Sequence, residues 1–189
     1  MAASAERPLA ELLVDLADRT PAPGGGSASA WAGALAAALA EMVSRFADDP
    51  KAAAQAMALR AELLAAGELE LTSYRPVLEA WRLPAQDPSR EARLAAAFSE
   101  ASQAPLAIAR ASTQVAELAA RIAEMSKPEL AGDAIAAVLL AEASSRAAAR
   151  LVEINLAQRP EDPRLAVVDE LVERAGTARD AALTSRKPP

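Results

Sequence analysis

The segment from Thr20 to Ser27, TPAPGGGS, places Pro21 and Pro23 ahead of three consecutive glycines. The prolines stiffen its entry, while Gly24, Gly25 and Gly26 allow positive φ and leave backbone N–H groups uncovered for direct approach by a ligand. Ser27 is placed to cap the helix that follows. Unpaired amides at a helix N-terminus favour an anion or an electronegative ring edge. The plainer alternative is a flexible helix–helix turn, because Gly, Pro and Ser form loops in many contexts. The segment is neither a Walker loop nor GxGxxG: no Gly-Lys-Ser/Thr follows, and Ser29 stands three positions after Gly26.

Acids among apolar residues are the other source of chemistry. Leu63, Gly67, Glu70, Tyr74, Val77 and Trp81 alternate in spacings of four and three, so Glu70 lies within an apolar helical stripe. A carboxylate held there has a raised pKa unless paired; alternatively it stands at the stripe edge and reaches solvent or an arginine. Asp133 follows Gly132 and precedes an apolar helix, which is equally the signature of an N-cap. Glu142 shares phase with Val138, Leu139 and Ser145, with Arg146 four positions on as a ready partner. A partly buried carboxylate with its pKa lifted toward neutrality can take and return protons.

The elements that position these groups are helices. The 189 residues suit one domain, 1–189, and 52% hydrophobic content with only 3% aromatics demands a core of Ala and Leu. Leu9, Leu12, Leu13 and Leu16 mark a first amphipathic helix ending near Asp18. From Ser27 a second helix carries Trp31, Leu35, Leu39, Met42 and Phe46 on one face and Ser29, Gly33 and Ala37 on another. Small residues at that spacing let a neighbouring helix approach closely, as in a buried central helix or a subunit seam. A third helical segment runs to Trp81 with a break at Pro76, and further segments cover Arg90 to about Met125, bent or split by Pro105, and Asp133 to about Gln158. A last helix from Pro163 to about Thr184 precedes a tail, from about residue 185, expected to be disordered. The prediction is an all-α bundle of about six to eight closely packed helices.

The absence of Cys excludes disulfides and thiolate metal sites, and the absence of His excludes the common serine triad and histidine zinc sites. A net charge of -6 opposes nucleic-acid binding. With no long uncharged apolar run and no secretory signal, no membrane partner and a cytoplasmic location are expected.

Thr20 to Val43, TPAPGGGSASAWAGALAAALAEMV, resembles the glycine-rich signature of the cyclodeaminase/cyclohydrolase family, which includes the folate-processing domain of formiminotransferase-cyclodeaminase. Glu70 to Pro84, ELTSYRPVLEAWRLP, is similar to the family's acid-x-x-x-aromatic segment ending in Leu-Pro, with Glu70 where Asp is usual. Arg90 matches an arginine after that segment, and Ala104-Pro105-Leu106 resembles the family's Val-Pro-Leu. Asp133 to Leu156 fits the family's Ser-Asp helix ending in Ile-Asn-Leu, Asp133 taking the acid and Asn155 the asparagine.

The resemblance implies an all-helical homodimer that takes a tetrahydrofolate derivative as a small-molecule substrate and requires no metal or other cofactor. Its activities close formiminotetrahydrofolate to methenyltetrahydrofolate with loss of ammonia, or open methenyltetrahydrofolate with water to formyltetrahydrofolate. Carried over position by position, Asp133 and then Glu70 are the proton-transfer candidates; Thr20, Pro21, Pro23, Gly24, Gly25, Gly26, Ser27, Lys51, Arg90 and Asn155 are the substrate-binding candidates. The chain departs from the family pattern after the first long helix, where Asp49 takes a glycine position and Lys51 alone represents a basic run. That basic run is the natural partner for polyglutamate carboxylates. Its loss frames the alternative of a non-catalytic folate-binding or scaffold member.

Overall fold

The computed structural model describes residues 7–185, so the expected tail lies outside the described residues. Eight α-helices are present among them and no strand: α1 Leu9–Ala17, α2 Gly25–Phe46, α3 Pro50–Ser73, α4 Arg75–Trp81, α5 Arg90–Ala101, α6 Gln103–Met125, α7 Ala131–Asn155 and α8 Pro163–Ser185. A short 3-10 turn, Pro128–Leu130, leads into α7. None of these helices is long and apolar enough to cross a membrane.

Helices α2 and α3 form an antiparallel hairpin in which Gly33 faces Leu63 at mid-height and Gly26 faces Glu70 at the open end. Its turn uses Asp48, at φ 54, followed by Asp49, whose Oδ1 accepts from the amides of Lys51 and Ala52 at 3.1 and 2.9 Å. The left-handed residue is thus Asp48, and Asp49 is a helix cap. Helices α6 and α7 form a second antiparallel hairpin, tied by Ser112–Ser144 and Thr113–Ser145 hydroxyl pairs, both 2.8 Å. Helix α8 packs along both, through Thr113 to the Leu171 carbonyl, Arg174 to Glu117 and Arg179 to Glu142.

The small-residue face of α2 is an internal seam. A Cβ on Gly33 would stand 2.7 Å from Ser112 Oγ and 3.0 Å from both Leu63 Cδ2 and Ser144 Oγ. Ser144 Oγ donates to the Ser29 carbonyl at 2.6 Å, so a hydroxyl of a neighbouring helix bonds directly to the α2 backbone one turn before Gly33. Around this crossing the core is mostly alanine, with Ala30, Ala36, Ala37 and Ala40 of α2 fully buried against Val43, Leu63, Ile108 and Val138. Leu39 and Met42 of the expected apolar face pack against this core, whereas Leu35 is 54% and Phe46 61% exposed.

The proline breaks fall close to their expected places. Helix α3 stops at Ser73 and α4 restarts at Arg75, so Pro76 sits in a first turn, where its missing N–H costs nothing. Pro105 likewise sits in the first turn of α6, and the split falls earlier, at Ser102. Two helix starts differ from expectation: α2 begins at Gly25 rather than Ser27, and α7 at Ala131 rather than Asp133.

Candidate functional site

The start of α2 is capped by Gly24, extended at φ -140 and ψ -155, with no capping hydrogen bond from a side chain; Gly25 is exposed, while Gly26 is buried. Ser27 does not cap the helix, contrary to expectation. It is the third residue inside, fully buried, with a hydroxyl that has no hydrogen-bond partner among the described residues. The expectation of positive φ also fails, because every glycine of the described residues has negative φ. What Gly26 provides is space: a Cβ there would overlap Oε1, Cδ and Cγ of Glu70. The glycine requirement at this position is close approach, not an unusual dihedral.

Glu70 therefore lies directly on the N-terminal turn of α2. Burial raises its carboxyl above the usual carboxylate range, opposed by the Ser73 hydroxyl, which lies 3.2 Å from Oε2. No cation of the described residues pairs with it, so the ion-paired alternative for Glu70 does not hold. Ser73 was not singled out in the sequence, although its position three residues on, on the same helical face, is a readable signal. Tyr74, one turn beyond Glu70, stacks edge-on with Trp81 and Phe98 at 5.8 and 6.3 Å, and burial raises its hydroxyl pKa. These rings fasten α4 and α5 beside the site.

The remaining candidates are dispersed. Thr20 Oγ1 donates to the Ala22 carbonyl at 3.0 Å, closing a small turn ahead of the cis Ala22-Pro23 bond, with Pro21 exposed at its outer side. Arg90 opens α5, its Nε buried and unpartnered. Asn155 ends α7 and donates Nδ2 to the Ala101 carbonyl at 3.1 Å, which pins the corner between α5 and α6. Asp133 is half-buried in the first turn of α7; no side chain caps that helix, so the N-cap alternative is corrected. Its acid near a helix N-terminus complements the dipole instead. Lys51 is exposed at the opposite end of α3 from Glu70, about 28 Å along the axis at ~1.5 Å per residue, so one chain does not bring it to the glycine-rich end.

Glu142 is buried and bound by Arg146, and by Arg179 at 3.0 Å, so its pairing with Arg146 stands as expected. It lines an open groove between α7 and α8, where Arg146 and Arg150 are both engaged by acids of the same helix. Glu41, buried between Arg45 at 2.5 Å and Arg60 at 3.1 Å, is a second buried acid, missed in the sequence although Arg45 stands four positions on. Both are neutralised by arginines, whereas Glu70, half-buried, has no cation partner among the described residues.

The fold is thus an all-helical domain in which a glycine-rich helix start without a side-chain cap meets a carboxyl that has no cation partner among the described residues. The chain belongs to the formiminotransferase-cyclodeaminase family, whose model matches residues 8–174. It is 32% identical over 155 residues to the methenyltetrahydrofolate cyclohydrolase of Methylorubrum extorquens, covering 74% of each chain. Its fold is similar to that of formiminotetrahydrofolate cyclodeaminase from Thermotoga maritima, with a TM-score of 0.79 at 24% identity, over 96% of this chain and 94% of the other. The chain thus falls within folate one-carbon metabolism.

Proposed function

We propose that this protein is a methenyltetrahydrofolate cyclohydrolase. The observation that carries the reading is Glu70, half-buried, without a cation partner among the described residues, and set against Gly26 in the first turn of α2. The relative named for that activity, alike over most of both chains, supports it. In the reaction, water attacks the carbon bridging N5 and N10 and gives a proton to ionised Glu70. The carboxyl then protonates N5 as the bond from carbon to N5 breaks. The adduct's hydroxyl proton leaves to solvent as the formyl carbonyl forms on N10. No atom changes oxidation state, so the step calls for no redox cofactor. A cytoplasmic setting is part of the same proposal.

Glu70 takes the proton-transfer role first because its surroundings raise its pKa, and Asp133 second. With methenyltetrahydrofolate as substrate, loss of the methenyl chromophore should be catalysed, and formiminotetrahydrofolate should not yield that chromophore faster than its spontaneous closure. Asp133→Asn should lower turnover by less than Glu70→Gln does. Chromophore loss no faster than in buffer would overturn the assignment.

We also propose a homodimer. Leu35 and Phe46 of α2 and Met57 of α3, the last 49% exposed, leave apolar surface on the α2/α3 hairpin that a second copy would cover. Lys51, remote from Glu70 in its own chain, contributes to a folate site only in such an assembly. Light scattering at micromolar concentration should give twice the chain mass; a monomer mass would end this proposal.

A further inference from the structure

We propose that Trp31 is a substrate-recognition residue, its indole N–H and the neighbouring Ser27 hydroxyl receiving acceptor atoms of the pterin ring beside Glu70; this rests on the folate reading above. Three observations converge on one seam. Trp31 Nε1 is buried and has no hydrogen-bond partner, and the same holds for Ser27 Oγ. The two residues stand four apart on α2 and so share a face. That face meets α3 at Gly67, where a Cβ would lie 3.7 Å from Trp31 Nε1 and 3.1 Å from Ala30 Cβ. Gly67 is in turn three residues from Glu70 on α3, so the indole N–H and the carboxyl lie about one helical turn apart along the α2/α3 seam.

Buried donors are nearly always paired in folded proteins, and leaving one unpaired lowers stability. Two in adjacent turns, next to an unneutralised acid, form a polar lining that a ligand completes. The indole N–H can only donate, so its partner is a carbonyl oxygen or a ring nitrogen and not an amine cation. A pterin edge offers both kinds of acceptor, while the serine hydroxyl can donate or accept as the ring requires.

The test is Trp31→Phe, which keeps an aromatic ring and removes the donor, with Ser27→Ala as the second variant. Wild type is first titrated with methenyltetrahydrofolate by calorimetry and assayed for turnover. In Trp31→Phe, KM and Kd should rise about tenfold, the size of one lost hydrogen bond, and kcat should fall by less. The thermal midpoint should hold or rise, since removing an unpaired donor costs the folded state little. Ser27→Ala should raise KM in the same direction. Unchanged KM and Kd in Trp31→Phe, with wild type binding normally, would overturn the recognition role and leave the functional reading intact. A lowered midpoint with unchanged KM would do the same by showing a purely structural group. Failure of wild type itself to bind methenyltetrahydrofolate would overturn the functional reading and this inference together.

Discussion

Glu70→Gln should lower turnover of methenyltetrahydrofolate by about 10²- to 10⁴-fold, the usual worth of a positioned proton-transfer group, with substrate binding largely kept. It should also make the protein more stable at alkaline pH. Burial raises the Glu70 carboxyl pKa, so the folded state favours the protonated form over the ionised one. That contribution is fully present below the ordinary carboxylate pKa and is lost as pH rises through the raised folded value. Glutamine never ionises, so the variant should match wild type near pH 4 and melt at a higher temperature than wild type at pH 8. The same titration predicts that wild-type activity falls as pH drops through the raised value, because only the ionised form accepts the proton of water. The variant should lack this acid limb. Rate profiles and thermal melts across that range check both halves, and a destabilised variant at pH 8 would show that Glu70 is not held as a desolvated carboxyl without a cation partner.

Gly26→Ala should lose about 100-fold in turnover while keeping its fold. The added methyl overlaps Cγ, Cδ and Oε1 of Glu70, a flexible side chain that must rotate aside as a whole, so the acid is displaced rather than the helices. A displacement of about 1 Å in a catalytic group is enough for an effect of that size. Alanine is also the better helix former by about 1 kcal/mol, which offsets part of any packing strain. Gly33→Ala supplies the contrast, because its methyl would meet Ser112 Oγ, Leu63 and Ser144 Oγ in the centre of the bundle. Overpacking there should cost about 1–3 kcal/mol and lower the midpoint of denaturant unfolding. Equal activity losses in the two variants, tracking equal stability losses, would show that Gly26 serves packing alone.

Alanine-rich helical periodicity, the proline positions and the absence of Cys and His were enough to read the fold class and most helix limits from the chain alone. These are local properties, expressed through propensity and the 3.6-residue repeat, and they survive in any tertiary setting. The glycine-rich motif and the apolar stripe around Glu70 are likewise legible in the chain as the two halves of the candidate site. The reason for the glycines was not legible, because Gly26 is needed for a residue 44 positions away and no local dihedral records that contact. Helix starts moved for a related reason. Backbone hydrogen bonds and the packing of α2 and α7 decided where each first turn closes, which carried Ser27 and Asp133 from expected caps to positions inside their helices. The difference among Glu41, Glu142 and Glu70 lies wholly in tertiary structure. All three are acids on partly apolar faces, but arginines from the same and neighbouring helices reach the first two, while the third meets only Ser73 and a bare helix start. Long-range pairing sets which charge is neutralised, and periodicity along one helix carries no information about it.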